Sequence, residues 1–325
     1  MKHLISQLAH VEILTPKLDG TLWYFKDLLG LEETERQGQS VYLRGWGDWF
    51  HHTLKITEAP QSGLGHVGWR ADSPEALEIV AKEVGALGLG KGWIDGDRGH
   101  GKAFCFIDPD GHPMEVFWEV ERIQVPEHLR THHRARPQKY VGRGAAVRRI
   151  DHFNLLTSDT APCTKFFTET LGFKYNESLR EDGTEREVGS WLAATSQMHD
   201  IAYTGDAIPG MRGRLHHVAF WQDTWDEVMR TADILRDADI TIEAGPARHG
   251  ISDAFFMYTY EPGGNRVELF SGGYLQHTPD WEPIIWHLSE FRYAGSWWGE
   301  AVPESFFTYG TPPVEVPAPL ASVEA

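Results

Sequence analysis

Arg214-Leu215-His216-His217-Val218-Ala219-Phe220, followed by Arg248-His249-Gly250, Tyr258 and Asn265-Arg266-Val267-Glu268-Leu269-Phe270, is the stretch whose reading decides the fold. Its alternation of polar and apolar residues reads as strands, with His217 and Glu268 on separate strands among hydrophobic neighbours. An ionised glutamate in such a place costs on the order of several kcal/mol unless a cation or hydrogen bonds compensate it, and a metal ion is one such compensation. Another candidate ligand stands upstream in Asp151-His152-Phe153-Asn154-Leu155, so two histidines and one glutamate can converge. That donor set, with coordination positions left open, suits Fe(II) or Mn(II).

Working outward, the chain repeats itself. His10, Thr15, Phe25 and Gly30 recur at one constant offset as His152, Thr157, Phe167 and Gly172. Gly65-His66-Val67-Gly68-Trp69 resembles His216-His217-Val218-Ala219-Phe220, and Asp108-Pro109-Asp110-Gly111 resembles Glu261-Pro262-Gly263-Gly264. Glu115 and Glu268 lie equally far beyond those turns. A weaker duplication runs inside each half, where a strand opening on histidine, a helix and then short strands recur. Strands are expected at 8–14, 40–45, 51–57, 65–70, 103–107 and 113–118, and again at 150–156, 186–193, 199–204, 215–221, 254–260 and 266–270. Helices are expected near 19–29, 73–85, 160–170 and 224–237, the second opened by Ser73 as cap and Pro74 in its first turn.

Composition bounds the rest. The 325 residues suffice for two domains with proper cores. A net charge of −17 makes nucleic acid and anionic membranes unsuitable partners. There is no apolar run of about 18 residues and no signal-like start, so a cytoplasmic location is expected. Cys105 and Cys163 have no ligand spacing and read as packed thiols. The division expected is a degenerate two-module domain over 1–120, a basic linker over 121–148, a catalytic metal-binding domain over 149–275, and an extension and tail over 276–325. The part from Pro303 onward, with Pro312, Pro313, Pro317 and Pro319, is expected to be loose.

Both halves keep the same three residue types: His10, His66 and Glu115 in one, His152, His217 and Glu268 in the other. Ligand types therefore cannot choose between them, but proton donors beside the ligands can. His249 and Tyr258 lie on the run that ends at Glu268, whereas Cys105 stands where a tyrosine would serve Glu115. The first half therefore reads as a scaffold whose metal site has decayed. His52 is read there as structural and His132-His133 as solvated. Aligning Ile150-Asp151-His152 with Leu215-His216-His217 selects His217 over His216 as the ligand.

Taken together, Asp151-His152-Phe153-Asn154-Leu155, Trp191 with His199 after it, Arg214 to Phe220, Gly245-Pro246-Ala247-Arg248-His249-Gly250, Tyr258 and Glu268 resemble the type I extradiol ring-cleaving dioxygenases of the vicinal oxygen chelate superfamily. The nearest groups are the catechol 2,3-dioxygenases and the homoprotocatechuate 2,3-dioxygenases. The resemblance implies an α+β, glyoxalase-like fold: two tandem domains, each of two βαβββ modules forming an incomplete barrel. It also implies Fe(II), with Mn(II) as the alternative, held by His152, His217 and Glu268, and a homo-oligomer, a tetramer by family. By the same resemblance His199 is the acid–base histidine, His249 and Tyr258 bond the substrate oxygens, and Asn154, Trp191 and Arg248 line the substrate and oxygen pocket. The reaction implied is extradiol cleavage of a catechol by dioxygen to a 2-hydroxymuconic semialdehyde-type product.

Homoprotocatechuate enzymes resembling this chain carry basic residues where Ala244, Ala294 and Gly295 stand here. A carboxylated catechol would lose charge-assisted bonds worth ~1–3 kcal/mol. An uncharged monocyclic catechol is therefore expected, with homoprotocatechuate the alternative if Arg248 or Arg292 compensates. A glyoxalase-like isomerase or lyase, or a metal-free binding protein, is the more distant alternative. The first would not need His199, His249 and Tyr258 together, and His152, His217 and Glu268 on apolar strands argue against the second.

Overall fold

The structure, a computed structural model, describes residues 3–299 and 301–314. The first half builds one sheet from β1 (Ile5–Thr15), β2 (Glu32–Gln37), β3 (Ser40–Arg44), β4 (Leu54–Glu58), β5 (Gly63–Ala71), β6 (Gly90–Ile94), β7 (Ala103–Ile107) and β8 (Pro113–Phe117). The second half builds another from β9 (Arg149–Thr157), β10 (Lys174–Arg180), β11 (Glu187–Ala193), β12 (Ile201–Gly205), β13 (Arg214–Trp221), β14 (Ile242–Arg248), β15 (Ala254–Tyr260), β16 (Arg266–Gly272) and the short β17 (Ile284–His287). The strand orders are β2-β3-β4-β1-β5-β8-β7-β6 and β14-β15-β16-β13-β9-β12-β11-β10-β17. In every βαβββ module the first strand runs parallel to the last: β1 with β4, β5 with β8, β9 with β12, and β13 with β16. Two modules meet antiparallel through their first strands, β1 with β5 and β9 with β13. Each sheet thus curls without closing, and its central strands carry the histidines.

Local chemistry explains the helices. In the second module Ser73 accepts from the Ala76 amide ahead of Pro74, and the helix runs Pro74–Ala86. In the fourth, Thr224 and Glu227 form a reciprocal capping box for Trp225–Asp237. The first and third modules share another form, a short α-helical piece continued by a π-turn: Leu18–Trp23 into Tyr24–Leu28, and Thr160–Lys165 into Phe166–Thr170. The duplication therefore extends to backbone detail.

Four expected modules lacked a strand, and the structure supplies one in each: β2, β6, β10 and β14. Three of these lie at sheet edges and β10 is covered only by β17. An edge strand has no buried face to enforce alternation, so β2 reads Glu-Glu-Thr-Glu-Arg-Gln and β14 contains Gly245-Pro246.

The two halves share a core. Trp69 of β5 is fully buried and packs against Phe153 and Phe173, with ring centroids 5.6 and 5.1 Å away, while Phe25 meets Phe220 at 5.7 Å. The repeated turns dock reciprocally across this junction. Asp110 accepts from the Ser158 hydroxyl at 2.6 Å, and Glu261 accepts from the Thr21 hydroxyl at 2.6 Å. His112 reaches the carbonyls of Leu156 and Arg214. Both cysteines are free thiols.

The expectation of a loose segment from Pro303 fails for residues 303–314; Pro317 and Pro319 lie outside the described residues. Phe306 is buried, and Thr311 pairs with Leu215 in an antiparallel bridge. Arg266 anchors the segment by donating to the carbonyls of Tyr309 and Ser305, 3.0 Å each.

Because Trp69 fills space between the halves, Trp69→Ala is expected to cost ~3–5 kcal/mol of stability. Urea unfolding followed by circular dichroism measures this; a loss below ~1 kcal/mol would mean the halves do not depend on a shared core.

Candidate metal centre and cavity

β9, β13 and β16 are neighbours at the middle of the second sheet, and their register brings His152, His217 and Glu268 together. Glu268 Oε2 lies 2.9 Å from His152 Nε2 and 3.0 Å from His217 Nε2, and the two nitrogens are 3.3 Å apart. All three residues are buried.

Partners behind the histidines fix which nitrogen faces the glutamate. His152 Nδ1 donates to Asp151 Oδ2 at 2.8 Å, leaving its Nε2 lone pair directed inward. For His217 the relay is longer. His216 Nε2 donates to the Phe306 carbonyl at 2.7 Å, so His216 Nδ1 accepts from His217 Nδ1 at 2.7 Å, and His217 Nε2 is left free. Sequence reading missed this use of Asp151, His216 and Phe306; the adjacent Asp151 and His216 were visible, but nothing local announced the Phe306 carbonyl.

Two lone pairs thus face a buried carboxylate oxygen, an arrangement that requires a cation or a proton between them. Glu268 Oε1 is buried with no hydrogen-bond partner, so the carboxylate has a further site to offer. With protons alone, burial opposes charge on His152, but hydrogen bonds with Asp151 and Glu268 lift its pKa to about 9. Burial lowers that of His217 to about 4, outweighing Glu268. Burial also opposes charge on Glu268, yet the two imidazoles hold it well below the usual carboxylate range. The donor types, inward lone pairs and free carboxylate oxygen fit a divalent metal with open coordination positions.

Beside these donors is a cavity of ≈ 130 Å³. His199, His249, Tyr258, Asn154 and Trp191 all line it. The His199 ring lies 4.0 Å from that of His152. Burial and then the facing His152 push its pKa well below 6.5, so His199 is neutral. His249 Nδ1 donates to the Gly295 carbonyl at 2.6 Å, and its Nε2 accepts from the Tyr258 hydroxyl at 3.1 Å. Burial, followed by the Glu268 charge, raises the Tyr258 pKa far above 10 and keeps it a phenol.

Arg248 does not line the cavity. Its guanidinium pairs with Asp253 at 2.7 Å and covers the Phe255 ring, because it ends β14 on the side away from the donors. Arg292 lies over Tyr293. Among the described residues no lysine or arginine lines the cavity, whereas Ala294 and Gly295 do. Its outer wall comes from the extension: Leu288, Phe291, Val302, Phe306 and Phe307. The Phe306-Phe307 pair within a proline-rich segment was the available sequence signal.

Residues 149–269 match the glyoxalase/bleomycin resistance protein/dioxygenase superfamily. The chain is 48% identical over 311 residues to the metapyrocatechase of Geobacillus stearothermophilus, covering 95% of this chain and 94% of that protein. It is 41% identical over 300 residues to the manganese-dependent 2,3-dihydroxybiphenyl 1,2-dioxygenase of Geobacillus genomosp. 3, covering 91% and 94%. Homoprotocatechuate 2,3-dioxygenase from Arthrobacter globiformis superposes with a TM-score of 0.82 at 29% identity, over 94% of this chain and 91% of that one. Paired βαβββ modules and a buried donor set, together with these relatives, define a metal-dependent oxidoreductase. The chain belongs to the extradiol ring-cleaving dioxygenases of that superfamily.

The wall segment depends on the buried Arg266–Glu243 pair, which bonds at 2.5 and 2.8 Å. Glu243→Gln would strand the guanidinium and is expected to cost ~3–5 kcal/mol. Limited proteolysis should then cut residues 303–314 first. Burial opposes ionisation of Glu243, but Arg266 holds its pKa below 4.5. The pair's contribution is therefore full above that pH and lost as pH falls through the lowered value, which acid titration of the wild type tests.

Proposed function

We propose that the chain opens monocyclic catechols lacking a charged substituent, beside the diol, adding both atoms of dioxygen, at a divalent iron or manganese held by His152, His217 and Glu268. The observation that carries the substrate class is the cavity against the three donors, which holds His199, His249 and Tyr258 but, among the described residues, no lysine or arginine. When bound, the metal supplies adjacent positions for both catechol oxygens and dioxygen and a path for electron density between them.

The surrounding residues supply the remainder. The Tyr258 hydroxyl, which donates to His249 Nε2 in this structure, turns its hydrogen to a substrate oxygen when a catechol binds. Neutral His199, on the cavity wall, takes the proton that a catechol loses on binding and returns it during ring opening. Asn154 donates to the Thr204 hydroxyl at 3.0 Å, leaving its carbonyl oxygen buried without a partner on the cavity side. Trp191, Phe270 and the Phe306-Phe307 pair supply apolar walls that select an aromatic ring and exclude water. The residues at 149–275 are thus proposed as the catalytic domain.

Glu268→Ala and His217→Ala are each expected to lower bound metal and the rate of forming the yellow ring-opened product by more than ~100-fold, since loss of a ligand exceeds the usual effect of an outer partner. Full activity in both variants would refute the site. In a panel under air, catechol and 4-methylcatechol should exceed homoprotocatechuate in kcat/KM by ~10–100-fold, the worth of one missing charge-assisted bond. Equal values would refute the substrate class.

A further inference from the structure

The first half does not scatter its histidines. β1, β5 and β8 meet as β9, β13 and β16 do, and the donors they carry converge. His10 Nε2 lies 2.8 Å from His66 Nε2, and each lies 3.4 Å from Glu115 Oε1. A fourth donor, unsuspected from sequence, arrives from the loop between β6 and β7: His100 Nε2, 3.1 Å from Glu115 Oε1. The side chains of His10, His100 and Glu115 are 3%, 2% and 6% exposed, and that of His66 19%.

We propose that His10, His66, His100 and Glu115 form a second, closed site for a divalent metal of the zinc class, separate from the open site of the second half. The orientation of the rings supports it. His66 Nδ1 donates to Glu12 Oε2 at 2.7 Å, a carboxylate–histidine arrangement that turns the opposite nitrogen inward. His100 Nδ1 donates to the Gly101 carbonyl at 2.9 Å, with the same result. Glu115 Oε1 is buried without a hydrogen-bond partner, as Glu268 Oε1 is. A proton can bridge one pair of these atoms, leaving the other lone pairs opposed; a single cation satisfies His10, His100 and Glu115, whose donor atoms all lie within 4.8 Å of one another, and His66, 2.8 Å from His10, stands ready to complete the set. Metal bonds of ~2.0–2.1 Å in a tetrahedron place donors about 3.3 Å apart, and the 3.1 to 3.4 Å distances from the three imidazoles to Glu115 Oε1 lie close to this.

Surroundings distinguish the sites. Beside the first-half donors there is only ≈ 10 Å³ of space, about enough for a water molecule, with the Phe117 ring stacked on His100 at 4.2 Å. Cys105 pairs with Glu115 across the ladder where Tyr258 pairs with Glu268, so the phenol is missing. Four protein donors, three of them imidazoles, and no room for substrate describe a structural site that holds strands together.

The test is metal content on the full-length enzyme, dialysed with zinc and then freed of excess, alongside ring-cleavage assays before zinc exposure. Wild type should bind about two divalent ions per chain, and His100→Ala and Glu115→Gln each about one, with ring-cleavage rates within about twofold of wild type. Glu268→Gln should also retain about one ion, now with activity lost, so failure of the catalytic reading and of this one separate. Zinc-edge anomalous scattering from wild-type crystals, which needs no variant, should place an ion among the four first-half donors. About one ion per wild-type chain, unchanged by His100→Ala, or no anomalous peak at that place, overturns the proposal.

Discussion

Two imidazole lone pairs aimed at one carboxylate oxygen inside a dry sheet set the terms for the rest of the second half. Glu268 Oε2 sits 2.9 and 3.0 Å from nitrogens whose protons have been drawn to the far side of their rings. Such an arrangement is repulsive until something positive enters it. The surrounding structure maintains that condition: Asp151 holds one tautomer, the His216–Phe306 relay holds the other, and buried strands flank the carboxylate on both sides.

The chain's end is part of this constraint. The segment at 303–314 closes the cavity with aromatic rings, and the carbonyl of Phe306 determines which nitrogen of His217 points inward. Arg266, two residues from Glu268 on β16, binds that segment while paired with Glu243. One strand therefore carries both Glu268, a candidate metal donor, and the clamp for the wall that shields it.

Duplication followed by divergence accounts for the unequal halves. Both sheets use the same strand order and register to gather two histidines and a glutamate. The second half leaves space beside them and places a phenol and two further imidazoles along it. In the first half His100 comes in from a loop beside Glu115, and little room is left there. The difference that matters chemically is thus volume and neighbours, since the donor types are shared.

Much of this was legible from residue order. The common offset of His10 with His152 revealed the duplication, the paired Asp108 and Glu261 turns marked module ends, and Ser73 and Thr224 announced their helices, because module pattern, caps and turns are local. His152, His217 and Glu268 could be picked as one set, since a polar residue in an apolar strand needs a reason wherever the strand lies. Edge strands β2 and β6 escaped notice because no buried face imposes a period on them. Arg248, near His249 in sequence, turns to Asp253 instead of the cavity, and His100 joins Glu115 from a loop. Side-chain direction at a strand end, the closing of a terminal segment and the volume left beside a cluster arise from contacts between distant parts of the chain, so only the tertiary structure decided them.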